Sequence, residues 1–113
     1  MKNIKDLRID YRKSELDIQD LSDEPILLFQ KWLSEAVNLS IDANAFVLST
    51  VNPEGVPSSR VLLLKDVSEN GFSFFTNYSS RKSKEIENNP NVCMNFFWKN
   101  FERQVRVTGI ISK

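Results

Sequence analysis

At 113 residues the chain is long enough for one domain around one modest core. Fifteen basic residues balance fifteen acidic ones, so no net field draws the molecule to nucleic acid or to an anionic membrane. With no histidine and one cysteine, Cys93, the composition excludes Ser-His and Cys-His nucleophiles, His-ligated or Cys-rich metal sites and an intrachain disulfide.

The mean hydropathy is negative and no apolar run is long enough for a membrane helix. Met1-Lys-Asn-Ile-Lys-Asp-Leu-Arg8 lacks the apolar stretch of a secretory leader. A cytoplasmic location is expected, with Cys93 a buried core thiol in a reducing compartment.

Residues 1–21 are polar and mixed in charge, with isolated Ile4, Leu7, Tyr11, Leu16 and Ile18. They read either as a flexible arm that orders against the body or a ligand, or as a frayed terminus. Residues 22–113 form the expected domain. Ser22-Asp-Glu-Pro25 starts a helix, with cap-type side chains, acids in the first turn and Pro where its missing N–H costs nothing. Ile26, Phe29, Leu33 and Val37 then recur at spacings of three and four, with Leu28 and Trp32 widening the face, and all six read as core. Asn38 to Asn44 is the connector.

From Ala45 the period becomes that of strands. Ala45 to Val51 and Pro57 to Lys65 are expected to pair as a hairpin across a type I turn at Asn52-Pro-Glu-Gly55. A second turn spans Asp66 to Gly71, and a third strand Phe72 to Thr76. Ser79 or Ser80 caps a short helix from Arg81 to about Asn88, stopped by Pro90. Asn91 to Trp98 is nearly continuous in apolar residues and reads as a strand buried on both faces. After a turn at Lys99-Asn100, a fifth strand from Glu102 to Ile111 alternates: Gln104, Arg106 and Thr108 point one way, Arg103, Val105 and Val107 the other. Five strands at short spacing, one helix before them and one inserted, indicate a mainly β, α+β fold: a small antiparallel barrel. Its last strand reaches Ile110-Ile111 with an open edge and an apolar tip, which a second subunit or further chain should cover.

The candidate chemistry lies in cations at element ends. Arg60 and Lys65 bracket the second strand, and Arg81-Lys82 opens the inserted helix. A guanidinium fork, a movable ammonium and a helix N-terminus can converge on one phosphate, with Thr76, Ser79 and Ser80 adding hydroxyl donors. The competing reading is a set of solvated surface charges. Gln104, on an alternating strand, carries an amide that both donates and accepts, which suits the imide edge of a heterocycle; the alternative is an exposed polar position. Phe96-Phe97-Trp98 and Phe101 read as core and subunit interface rather than a stacking platform. Glu85, Glu87 and Glu102 lack paired-carboxylate spacing.

Several separated motifs in order resemble the pyridoxamine 5′-phosphate oxidase family: Leu7-Arg-Ile-Asp-Tyr11, Glu24-Pro25 with Leu28-Phe29-Gln-Lys-Trp-Leu33, Arg60-Val-Leu-Leu-Leu-Lys65, Phe75-Thr-Asn77, Ser80-Arg-Lys82, Ile86-Glu-Asn-Asn-Pro90 and Glu102-Arg-Gln-Val105. The resemblance covers nearly the whole chain. It implies an FMN-binding split β-barrel that forms a homodimer with FMN at the subunit interface. It implies that Arg60, Val61, Leu62, Leu63, Leu64 and Lys65 line the flavin, with Arg60 near its phosphate. Phe75, where many relatives have Tyr, and Thr76 would contact FMN; Arg81 and Lys82 would hold its phosphate, and Gln104 the isoalloxazine edge. Lys65 would also reach the substrate phosphate, and Arg8 to Tyr11 match a segment that closes over the substrate.

The implied reaction oxidises pyridoxamine or pyridoxine 5′-phosphate to pyridoxal 5′-phosphate in vitamin B6 metabolism, with O₂ as acceptor and hydrogen peroxide as product. Family members carry a long C-terminal part with further substrate ligands and the rest of the barrel, so this chain resembles the N-terminal portion. The readings carried forward are the oxidase or its N-terminal part, a non-catalytic FMN-binding split-barrel module, and a truncated barrel that only dimerises. Nucleic-acid binding, metal binding and membrane insertion are not expected.

Overall fold

The computed structural model describes residues 24–40, 42–75 and 88–112. The expected arm at 1–21, the cap candidate Ser22, Thr76 and residues 81–87 of the expected second helix lie outside the described residues.

One helix, α1 (Pro25–Leu39), precedes five strands: β1 (Ala45–Val51), β2 (Pro57–Ser68), β3 (Gly71–Phe74), β4 (Asn91–Trp98) and β5 (Arg103–Ile110). They form one antiparallel sheet in the order β3-β2-β1-β4-β5. The sheet is open, and β5 has β4 on one side only among the described residues.

Pro25 opens α1 and Glu24 holds the cap position without a side-chain cap, so the acids precede the helix rather than fill its first turn. The helix runs through Asn38 and closes when the Ser40 N–H donates to the Ala36 carbonyl, 2.9 Å away. Its buried face carries Phe29 and Ala36, flanked by Trp32 and Leu33. Val37, expected in the core, is 54% exposed. Helical geometry explains the exchange: seven residues bring Ala36 back to within about 20° of Phe29, whereas Val37 lies about 80° round the axis. The small Ala36 side chain was the less conspicuous candidate.

The sheet presents one face to α1. Phe46, Leu48 and Thr50 of β1, Leu64 of β2, and Met94, Phe96 and Trp98 of β4 are buried there. The aromatic rings interlock: Phe29 meets Phe72 and Phe96 edge-on at 5.0 Å each, and Phe46 meets Phe74 at 5.3 Å. Ring edges set against ring faces add to the area buried. The Trp98 Nε1–H donates to the Ala43 carbonyl at 2.8 Å, and the Gln30 amide donates to the Val67 carbonyl at 3.1 Å. These bonds tie the connector and α1 to the sheet.

Strand β4 was expected to be buried on both faces. Instead it alternates: Met94, Phe96 and Trp98 face the core while Phe97 is 58% exposed on the other side. Cys93 lies on that outer side and is half-buried, so it is not a core thiol. The alternation expected for β5 holds, with Arg103, Val105 and Val107 inward and Gln104, Arg106 and Thr108 exposed.

The β1–β2 turn forms as expected. The Gly55 N–H donates to the Asn52 carbonyl, and the Asn52 side-chain oxygen accepts from the N–H groups of Glu54 and Val56. Gly55 has φ +83°, a conformation that penalises any Cβ. The second turn is shorter than expected, because β2 continues to Ser68 and pairs Ser68 with Gly71. Between β4 and β5, Lys99–Phe101 form a 3₁₀ turn closed by Glu102 at φ 53°. Arg103 then sits 4.4 Å from the Trp32 ring centre and 5.0 Å from that of Phe101, and pairs with Glu35 of α1. This cation pins the β5 end of the sheet to the helix.

Candidate functional site

The candidate residues of β2 divide by alternation. Arg60 and Leu62 are half-buried and Leu64 is buried, all toward α1, while Val61, Leu63 and Lys65 are exposed. Arg60 leans along the inner face: its Nη1 donates to the Leu48 carbonyl at 3.1 Å and to the Thr50 hydroxyl at 2.8 Å. Thr50 is fully buried and opposite Ser58, so Arg60 inclines toward the β1–β2 turn. Lys65 leaves the strand five residues later, about 16 Å along it. The structure does not bring these two cations together.

Lys65 occupies a β-bulge. Leu64 pairs with Phe74 and Asp66 with Ser73, so Lys65 is the extra residue on β2. A bulge reverses which side of the sheet each following residue faces. As a result both Leu64 and Val67 pack toward the core, although three positions separate them, while Lys65 and Asp66 are both exposed. The spacing of Leu62, Leu64 and Val67 was the available signal for this irregularity. Beside it, Phe75 follows β3 and is 78% exposed, with the Lys65 ammonium 5.5 Å from its ring centre.

The backbone adds a feature that side-chain patterning missed. The Leu64 N–H donates to the Asn44 carbonyl at 2.8 Å, which sets the phase of the β1–β2 ladder. In an antiparallel pair, alternate residues bond to the partner and those between point their N–H and C=O the other way. Val61 and Leu63, opposite Val47 and Ala45, therefore direct their main-chain groups off the far edge of β2. The 2.8 Å approach of the Ser49 and Ser59 hydroxyls fits the closer side-chain spacing of such a pair. Strand β3 covers that edge only from Leu64 onward.

Gln104 is exposed on the same outer face, opposite Phe97. It lies three strands from Leu63, or about 14 Å across the sheet. Between them stand Val47, Val61 and Phe97, all exposed, and Asn95. The Asn95 side-chain oxygen is sealed from water without a hydrogen-bond partner among the described residues, a costly state for an amide. The outer face thus combines an apolar centre, an unsatisfied acceptor, an amide toward one edge and a cation toward the other. Thr76, Arg81, Lys82, Arg8 and Tyr11 lie outside the described residues.

This open sheet with one packed helix has a split-barrel architecture that recurs in solved structures. PhzG from Burkholderia lata, solved with tetrahydrophenazine-1-carboxylic acid, superposes with a TM-score of 0.79 at 26% identity, over 88% of this chain and 51% of that one. A pyridoxamine 5′-phosphate oxidase-related, FMN binding protein from Nostoc punctiforme shares the fold with a TM-score of 0.70 at 24% identity, over 79% of this chain and 48% of that one. The sequence profile of the Pyridoxamine 5′-phosphate oxidase family matches residues 33–113, and the chain belongs to that family. The pyridoxine/pyridoxamine 5′-phosphate oxidase of Leptospira interrogans is 47% identical over 111 residues, which is 97% of this chain and 52% of the relative. The Flavobacterium johnsoniae protein of the same name is 47% identical over 115 residues, covering 100% of this chain and 54% of the relative. The chain thus spans about half the length of these curated relatives. No helix among the described residues is long and apolar enough to cross a membrane.

Proposed function

We propose that this chain provides the flavin-binding half-barrel of an FMN-dependent oxidase acting on pyridoxamine or pyridoxine 5′-phosphate. The observation that carries the reading is the 47% identity to oxidases of that name across 97% of the chain. The alignment includes every candidate motif rather than one local match.

The residues present fit a flavin nucleotide. A planar heterocycle with an imide edge needs donors and acceptors in its own plane and apolar contact above or below it. The edge of β2 before Leu64, unpaired among the described residues, offers the main-chain groups of Val61 and Leu63, and the exposed side chains of Val61, Leu63 and Phe97 offer apolar area. The Gln104 amide adds a donor and an acceptor at the isoalloxazine edge. Leu62 and Leu64 contribute from behind, as packing that stiffens the strand. Arg60, Arg81 and Lys82 are assigned to the flavin phosphate, and Phe75 and Thr76 to flavin contacts. Lys65, far along β2 from Arg60, is assigned to the phosphate of the substrate, with Arg8 and Tyr11 closing over it. The two phosphates then sit at different ends of the strand, in keeping with the separation of the two cations.

Bound FMN supplies the hydride acceptor, which O₂ reoxidises with release of hydrogen peroxide. This chain's contribution is to hold ring against ring and to keep water from the reacting faces. The exposed apolar centre supports a second copy covering the outer face, hence a homodimer with FMN at the interface. A second reading is a flavin carrier without oxidase activity.

Titration with FMN tests the proposal. A flavin absorbance band with quenched fluorescence supports both readings, and peroxide release with pyridoxamine 5′-phosphate separates them. Replacing Arg81 and Lys82 with Ala should weaken FMN binding by about 1.5–3 kcal/mol for each charged hydrogen bond lost. Unchanged affinity in the double variant refutes the phosphate assignment.

A further inference from the structure

We propose that Phe75 is a positioning residue for Lys65, holding its ammonium beside β2 so that the charge is presented to a phosphate. The inference rests on the reading that Lys65 meets the phosphate of the substrate. Three observations carry it.

First, Lys65 is the extra residue of the bulge: it stays on the exposed side with Val61 and Leu63, and the strand resumes its pairing with β3 only at Asp66. Second, its Nζ lies 5.5 Å from the centre of the Phe75 ring, within the range of a cation–π contact. Third, the Phe75 ring, 78% exposed, lies outside the aromatic core and is available for that contact.

The choice of partner has a chemical consequence. A carboxylate beside Lys65 would neutralise it and occupy its N–H donors. Asp66 is adjacent in sequence, yet no ion pair joins Lys65 to a carboxylate among the described residues. A ring face attracts the cation through its quadrupole and leaves both the charge and the donors available. It also narrows the many rotamers of an exposed lysine, so less freedom is lost when an anion arrives.

The test uses the 113-residue chain with its lysines reductively dimethylated with ¹³C, a modification that keeps the charge. Lys65→Arg assigns the Lys65 resonance. Ring current from Phe75 should move that resonance upfield of the exposed lysines. The displacement should persist in Phe75→Trp and vanish in Phe75→Leu. Inorganic phosphate should shift the Lys65 resonance, with affinity about two- to five-fold weaker in Phe75→Leu, the factor expected for one exposed cation–π contact. An identical Lys65 position in the native chain and Phe75→Leu overturns the proposal, as does equal phosphate affinity in the two. A folded Phe75→Leu variant is confirmed by its far-ultraviolet circular dichroism, and Phe75→Tyr provides the conservative control, expected to behave as the native chain. If FMN fails to bind while the Lys65 displacement and its phosphate response are intact, the flavin reading falls and this inference stands. Flavin uptake without the displacement has the reverse meaning.

Discussion

The two faces of the sheet are built from the same strands and obey different rules. On β4 alone, Met94, Phe96 and Trp98 interlock with α1, while their neighbours Cys93, Asn95 and Phe97 face away. The inner face is fully accounted for by packing: rings meet edge to face, and the buried Thr50 hydroxyl accepts from Arg60. The outer face is not self-sufficient. It exposes Val61, Leu63 and Phe97 and seals an amide oxygen that has no partner among the described residues. The contrast teaches that apolar content alone does not make a packed face; the inner rings have α1 against them, and the outer ones have no such element among the described residues.

Substitutions across the sheet sharpen this comparison. The largest effect is expected at Phe96, which is 0% exposed: Phe96→Ala should cost about 3–5 kcal/mol in urea denaturation, by lost burial and the cavity left behind. Thr50→Val keeps the shape but removes the acceptor for Arg60, and should cost about 1–3 kcal/mol by the same measurement. Gly55→Ala forces a Cβ onto φ +83° in the β1–β2 turn and should cost about 1 kcal/mol, visible as a lowered Tm. Phe97→Ala, one residue from Phe96, should change the stability of the isolated subunit by no more than about 0.5 kcal/mol. Its effect should appear instead as weakened self-association in analytical ultracentrifugation. If Phe97→Ala destabilises the subunit as much as Phe96→Ala, the distinction between the faces fails.

Much of the fold was legible because the relevant signals are local. The hairpin at Asn52 to Gly55 follows from turn chemistry, and β5 from strict alternation between Arg103 and Thr108. Strand β4 was misread because both of its faces carry apolar residues, and periodicity is invisible when every position looks alike. The bulge at Lys65 was missed for a related reason: a run of leucines conceals the point where the alternation reverses. At the candidate site, Lys65 and Gln104 are exposed, which suits both readings the sequence leaves open, a ligand contact and a solvated surface position. The inward lean of Arg60 toward Thr50 depends on a partner strand, and sequence spacing alone does not specify it. The outward phase of Val61 and Leu63 was hidden for the same reason, since it is set by the bond between Leu64 and Asn44.

That phase bears on how freely this strand can change. The hydrogen-bonding pattern along the far side of β2 is written in peptide groups, which nineteen of the twenty amino acids share in donor and acceptor alike. Positions 61 and 63 can therefore drift among apolar residues without erasing the pattern. Proline is the exception, because it deletes the donor outright, so it is the one residue whose arrival at either position would change what this border presents.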